Sequence, residues 1–191
     1  MDLSNPNKDK GKHRKMPSVD LGTMVYGKVP PQARELEAAV LGAIMLEKEA
    51  MDKAAELLEP ECFYTEAHQR IFRAMVRLST ANEPIDILTV VEALRGSNDL
   101  DIIGGPLEVM KLTNAVISGA HVATHAKIIY ERWVKREAIR IGGELLGMGY
   151  DDEVDAFDLI EQMEQQISQL AIRQAGRKFQ TLGEVAKEAA E

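Results

Sequence analysis

The sequence predicts an all-α protein: a globular bundle of about six helices, then an antiparallel helical hairpin, then a short linker helix. Three observations predict it. Apolar residues recur at helical spacing along most of the 191 residues, and no stretch sustains the period-two alternation of a strand. Aromatic residues make up only 5% of the chain, which is dominated instead by Ala, Leu, Glu, Ile and Met, residues that favour helices over sheets. Finally, two seams of nearly heptad spacing stand on either side of a short acidic turn, the pattern of two helices folded back on one another.

The elements follow in order. Residues 1–28 carry Lys8, Lys10, Lys12, Arg14, Lys15 and Lys28 against Asp2, Asp9 and Asp20, with little apolar surface to offset ordering entropy. They are expected to be a disordered basic arm, and a solvated tail is favoured over contact with nucleic acid or another anionic surface. Pro30-Pro31 marks a boundary. Leu36, Ala39, Val40, Ala43 and Ile44 then predict a helix over 32–46, and Met51, Ala54, Ala55 and Leu58 a second over 48–58. Thr65 is placed to cap a third helix, with Glu66 in its first turn to suit the macrodipole. His68, Ile71, Phe72, Met75 and Leu78 form its apolar face, and Asn82-Glu83-Pro84 ends it. Asp86 caps a fourth, with Ile87, Val90, Val91 and Leu94 inward and Gly96 at the exit. Gly104-Gly105-Pro106 opens a fifth that reaches Leu112.

The second half differs. One helix of ~30 residues, ~45 Å long, is expected from Gly119 to Met148. Its seam is Tyr130, Val134, Ala138, Ile141, Leu145 and Met148, and the returning arm shows Ala156, Ile160, Met163, Ile167 and Leu170. Ile128, Trp133, Ile139 and Leu146 widen the first arm's apolar surface beyond what one helix covers, so this arm should also meet the globular half or another subunit. Gln174 to Lys178 reads as a hinge. Thr181-Leu182-Gly183-Glu184 matches a capping box that opens a last helix carrying Leu182, Val185 and Ala186. The domains expected are thus the arm 1–28, a globular helical domain 29–118, the hairpin 119–173, and 174–191 as linker and start of a linker helix.

Candidate chemistry is sparse. Cys62, Tyr64, Thr65 and His68 lie within seven positions and invite a catalytic reading. Their placement at a helix entry favours packing instead: Phe63 and Tyr64 as a staple, His68 as a satisfied core or capping histidine, Cys62 as a small buried thiol. His121 and His125 have the spacing of one helical face, but position 122 is Val, not the Glu of HExxH, and no third ligand is near. Neither Gly104-Gly105 nor Gly142-Gly143 sits in a phosphate-binding loop sequence. We therefore expect no catalytic residue, no metal and no cofactor in these residues. A single cysteine builds neither an internal disulfide nor a zinc ribbon. The net charge of -8 leaves the part beyond the arm more acidic still, which argues against direct binding to duplex DNA. No apolar run approaches the ~20 residues of a membrane helix, so no membrane contact is expected and the reading is cytoplasmic.

One colinear set of short matches goes further. Val29-Pro30-Pro31, Glu37 to Gly42, Phe63-Tyr64 with His68, Ile71 and Phe72, and Pro84-Ile85-Asp86 run in order along the chain. Leu100-Asp101 with Gly104-Gly105, then Tyr130-Glu131-Arg132 and Arg136-Glu137, continue the series. Together they resemble the N-terminal domain of the bacterial replicative DNA helicase (DnaB) family over residues 29–191. The resemblance implies a six-helix globular domain, a helical hairpin and a linker helix, followed in a longer parent by a RecA-like ATPase using ATP and Mg2+. It implies a role in DNA replication: copies pair through their hairpins into a collar above a hexameric motor ring, and the collar docks the C-terminal domain of primase. A helicase loader is a further expected partner. Phe63, Tyr64, His68, Phe72 and Asp86 are the residues of the structural motif. The primase or subunit surface would fall on Ile139, Leu145 and Leu159, with Trp133 joined to them. Leu182, Val185 and Ala186 would dock on the motor domain of the neighbouring subunit. The departure from the family pattern is Gly142-Gly143. The alternatives weighed beside this are the helicase-binding C-terminal domain of primase and a metal-dependent helical hydrolase using His121 and His125.

Overall fold

A computed structural model describes residues 28–114 and 121–188, with side chains placed through residue 172. Among the described residues there are seven α-helices and no strand: α1 (Arg34–Leu46), α2 (Ala50–Ala55), α3 (Glu66–Thr80), α4 (Ile87–Gly96), α5 (Pro106–Asn114), α6 (Val122–Gly149) and α7 (Ala156–Glu188). A 3-10 turn, Pro60–Cys62, leads into α3. The basic arm lies outside the described residues, as does the segment 115–120.

The head is organised around Val40, Leu41 and Ile44 of α1, Phe63, Ile71, Phe72 and Met75 around α3, Leu94 of α4 and Val109 of α5, all of them fully buried. Burial of side chains of this size stabilises by about 1.5–3 kcal/mol each. The sixth helix of the head is the base of the long helix itself: Val122, Ala126, Ile129, Tyr130 and Trp133 of α6 sit in the same core. Only beyond Trp133 does α6 leave the head and become a hairpin arm. Trp133 is 3% exposed and stacks near Tyr130, with ring centroids 5.5 Å apart. It therefore packs the head and presents no open surface, contrary to its expected place in an interface.

The helix ends show how the chain turns. Thr65 accepts a hydrogen bond from the His68 N–H at 3.2 Å, capping α3 as expected. Asp86 caps α4 from both Leu88 and Thr89 N–H, and Thr89 Oγ1 accepts from the Asp86 N–H at 2.9 Å. α3 and α4 then stop in the same way. The Glu83 N–H donates to Leu78 O and the Asp99 N–H to Leu94 O, both at 2.9 Å, around Asn82 (φ 54) and Asn98 (φ 58) in left-handed conformations. This is the Schellman closure, which needs a residue tolerant of positive φ. The exit expected at Gly96 is therefore two residues late: Gly96 remains helical and Asn98 supplies the left-handed residue. Gly104 (φ 98) ends the next turn, and a Cβ there would lie 2.9 Å from Glu108 Cγ.

The hairpin differs from expectation on its returning arm. Ile141 is buried and Val134, Leu145 and Met148 are half-buried, as the seam of α6 requires, while Ala138 of that seam is exposed. On α7, however, the half-buried positions are Leu159, Gln166 and Leu170, while Ile160, Met163 and Ile167 are exposed. A 4-3-4-3 spacing marks an apolar stripe but not which neighbour it meets. Gln166 Nε2 lies 3.4 Å from Glu144 Oε2, which shows the register of the arms; with Leu159, Gln166 and Leu170 inward, the stripe faces outward. The backbone of α7 is also helical without interruption through residues 174–184, so the hinge and the separate capping box are absent from the backbone. One glycine costs about 1 kcal/mol in a helix interior, and Gln174, Ala175, Arg177 and Lys178 around it are good helix formers. The side chains of Leu182, Val185 and Ala186 lie outside the described residues.

Candidate joint and hairpin surface

The segment Cys62 to His68 is where the head grips the hairpin. Glu37 of α1 is 1% exposed, and a carboxylate so placed needs its oxygens satisfied. Its Oε1 accepts from the Tyr64 N–H at 2.9 Å and its Oε2 lies 2.8 Å from His68 Nδ1. Cap and partner are thus one unit: Thr65 starts α3, which places His68 in the first turn, facing α1. Gln69 Nε2 donates to Phe63 O at 2.9 Å, and the Phe63 ring packs on Phe72 with centroids 4.9 Å apart. The expected hydrophobic staple is not formed, because the helical residue that would close it on Tyr64 is the polar Gln69.

From the other side comes Arg136 of α6. Its guanidinium donates to Pro31 O at 2.9 Å and to Cys62 O at 2.7 Å, joining the chain's entry, the 3-10 turn and the hairpin arm. Two guanidiniums lie over the Tyr64 ring, Arg34 at 4.9 Å and Arg136 at 5.5 Å from its centroid, a cation–π arrangement worth about 0.5–2 kcal/mol per contact. Burial pushes the Arg136 guanidinium below its ordinary value, and the nearby Glu37 carboxylate opposes that shift. A second tie crosses the head: Arg70 pairs with both Glu66 and Asp99. The Ser97 hydroxyl, donating to Asp99 Oδ2 at 2.7 Å, holds the Asp99 carboxyl below the usual carboxylate range, with Arg70 adding to the effect.

Cys62 is fully buried, and its Sγ accepts from the Glu59 N–H at 3.4 Å, a packing and capping role. His121 and His125 stand with ring centroids 6.2 Å apart. Among the described residues no group of three or more His, Cys, Asp and Glu is placed to hold a metal. No helix among them is long and apolar enough to cross a membrane.

The hairpin beyond the joint is mostly surface. Ile139 is 44% exposed; Leu146 follows it on the face of α6 turned away from α7, as 3.6 residues per turn requires, and Tyr150, just past the helix end, is exposed as well. Gly142 lies beside that stripe, and a Cβ added to it would meet nothing within 4 Å. Leu145 and Leu159, by contrast, are half-buried between the two arms. Of the four residues expected at an interface, the structure leaves Ile139 open, places Leu145 and Leu159 partly between the arms, and puts Trp133 in the head. The residues that sequence reasoning underused are Glu37 and Arg136. Both were visible only as parts of short matches, since a charge in an apolar helix face reads as buried only once its partners are known.

These features define a class: a helical head with a buried Glu–His pair at its centre, tied by a part-buried Arg to an antiparallel hairpin with outward apolar stripes. The family model described as "DnaB-like helicase N terminal domain" matches residues 29–131, and the chain belongs to that family. It is 44% identical over 165 residues to the replicative DNA helicase DnaB of Rhodothermus marinus, covering 86% of this chain and 17% of that protein. To the replicative DNA helicase DnaB of Geobacillus stearothermophilus it is 37% identical, covering 83% of this chain and 35% of that one. The chain thus spans about a sixth to a third of the length of these relatives. The crystal structure of the N-terminal domain of DnaB helicase from Mycobacterium tuberculosis superposes with a TM-score of 0.70 at 29% identity, covering 74% of this chain and 99% of that one. A structure titled as a DnaB-like replicative helicase and its interactions with primase shares the fold, with a TM-score of 0.58 at 24% identity over 72% of this chain.

Proposed function

We propose that this chain acts as the assembly domain of a replicative DNA helicase, pairing with copies of itself through the hairpin and docking the C-terminal domain of primase on the resulting collar. The observation that carries the reading is the outward stripe of α6. Ile139 and Leu146 expose apolar surface that no other described residue covers, and Gly142 beside them leaves room for a second helix to approach closely. Glycine inside a helix costs about 1 kcal/mol, and among the described residues no contact uses the space it opens. Ile139, Leu145 and Leu159 are the side chains assigned to this surface, the last two as supports that fix the spacing of the arms.

In the longer parent, Leu182, Val185 and Ala186 would seat on the motor domain of a neighbouring subunit. ATP and Mg2+ would be bound by that motor rather than by these residues. Arg136 serves this role by holding the hairpin arm to the head through Pro31 O and Cys62 O, and the Glu37–His68 pair keeps together the α1 and α3 helices on either side of that contact. A helicase loader is a further partner of the assembled ring, and the setting is the bacterial cytoplasm.

Light scattering on the full chain, with and without Ile139→Asn, tests the pairing. The expected result is a mass above one chain for the wild type and a shift toward monomer for the variant. Isothermal titration with the cognate primase C-terminal domain tests the docking. Unchanged mass together with unchanged heats would overturn the reading.

A further inference from the structure

The distal hairpin carries an unusual share of the protein's charge. Between Arg140 and Arg173 there is no Lys, Arg or His, while Glu144, Asp151, Asp152, Glu153, Asp155, Asp158, Glu161 and Glu164 all fall there. Those eight acids equal the whole net charge of -8, so the remaining 23 acidic residues balance all 23 Lys and Arg. Among the described residues Asp152, Glu153, Asp158, Glu161 and Glu164 are in no ion pair. Beside them on α7 runs the outward apolar stripe Ile160, Met163 and Ile167, which forms a shallow depression with Glu164 and Ser168. An apolar stripe whose charged border is acidic calls for a partner that is apolar and basic. A second copy of the same face would set acid against acid.

The chain contains such a partner. Residues 8–15 hold Lys8, Lys10, Lys12, Arg14 and Lys15 with one acid, Asp9, and Met16, Val19, Leu21, Met24 and Val25 follow. Its attachment point is fixed, because Arg136 binds Pro31 O at 2.9 Å at the base of the hairpin. The order of the two surfaces also agrees. Gln166 meets Glu144, so Ile167 lies nearer the base, Ile160 nearer the tip, and Asp151 to Asp155 at the tip itself. Moving outward from Pro31, the arm presents its apolar residues first and its cations after them. Reach is ample: Ile160 lies about 21 Å along α6 from Arg136 at 1.5 Å per residue, and the residues from 16 to 31 span up to about 50 Å when extended.

We propose that residues 8–26 dock along the α7 face of their own hairpin, apolar residues on Ile160, Met163 and Ile167 and cations on the acidic tip. The contact is exposed and charge-led, so it weakens with salt. It makes the arm an electrostatic cover for one face of the hairpin, distinct from the Ile139 face proposed for pairing.

The test uses the full chain with spin labels at Ser18→Cys and Gln165→Cys; Cys62 is buried and is left in place. Electron-electron resonance at low salt is expected to show a short-distance population, lost in 1 M salt, where the Debye length is about 3 Å. Replacing Lys8, Lys10, Lys12, Arg14 and Lys15 together by Gln should reduce that population about tenfold, the sum of several weak exposed charge pairs. A circular-dichroism melt matching the wild type confirms that folding is intact. The proposal is overturned by a distance distribution that is the same with and without the five substitutions. It is also overturned if the short distances disappear on dilution with a tenfold excess of unlabelled chain, since the arm would then be reaching a second copy.

Discussion

His68 Nδ1 lies 2.8 Å from Glu37 Oε2, joining α3 to a carboxylate that is 1% exposed in the middle of α1. The other oxygen is held by the Tyr64 N–H, so the polar centre of the head is closed by two partners from consecutive turns of chain. Replacing His68 with Ala leaves one buried carboxylate oxygen without its partner. The expected cost is about 1–3 kcal/mol, read as a lower urea midpoint at unchanged slope. A change below about 0.5 kcal/mol, the ordinary range for surface substitutions, would show that the pair does not hold α1 to α3.

Arg136→Met keeps most of the side-chain length and removes both hydrogen bonds to Pro31 and Cys62. Hydrogen exchange should rise at the amides around 29–33 and 60–65, and stability should fall by about 1–3 kcal/mol. Unchanged protection at both segments would mean that the guanidinium only rests on the head.

Asp99 gives a pH dependence with a definite sign. Its carboxyl is held below the usual range, first by Ser97 and then by Arg70. A depressed folded value contributes stability that is fully present above the unfolded value of about 3.9 and lost as pH falls through the folded one. Ser97→Ala should raise the Asp99 midpoint, seen by side-chain NMR titration, and move the loss of stability to higher pH. At neutral pH the ionised carboxylate still pairs with Arg70. A midpoint that does not move would assign the depression to Arg70 alone.

Asn98→Ala places a Cβ-bearing residue without a local hydrogen-bonding side chain at φ 58. The strain is about 1–2 kcal/mol. Asn98→Gly should be within a few tenths of the wild type, so thermal melts of the two variants separate conformational strain from any loss of the amide group. Equal melts would remove the left-handed stop as a contributor.

Gly142→Ala and Gly142→Leu test the hairpin in opposite directions. The alanine methyl meets nothing within 4 Å, so it should stabilise the monomer by up to about 1 kcal/mol. The larger Leu should instead weaken self-association, measured by light scattering across a dilution series. Unaltered association in Gly142→Leu would move the pairing surface off this face.

The helices of the head were legible from spacing and caps because Thr65 and Asp86 act locally, through bonds to residues two or three positions on. Asn98 was missed as the stop of α4 because Gly96 offers the same conformational freedom two residues earlier, and only the closure to Leu94 O decides between them. The α7 seam was misread for a different reason. Ile160, Met163 and Ile167 keep helical spacing, yet it is Leu159, Gln166 and Leu170 that face the other arm, as the contact of Gln166 with Glu144, 22 residues apart in sequence, shows. Trp133 looked like surplus apolar width on an arm; the head core that takes it in is assembled from five other helices. Glu37 carries the same lesson for charge, since its two partners lie 27 and 31 residues away.

The attachment of Arg136 has a mechanical consequence. From that residue to the end of α6 at Gly149 the helix runs about 20 Å at 1.5 Å per residue. A rotation of about 10° at the joint would sweep the tip by roughly 3.5 Å over that length, comparable with the rise of two residues. Two hydrogen bonds to backbone carbonyls, at the foot of a rigid lever, thus set where everything carried at its far end is delivered.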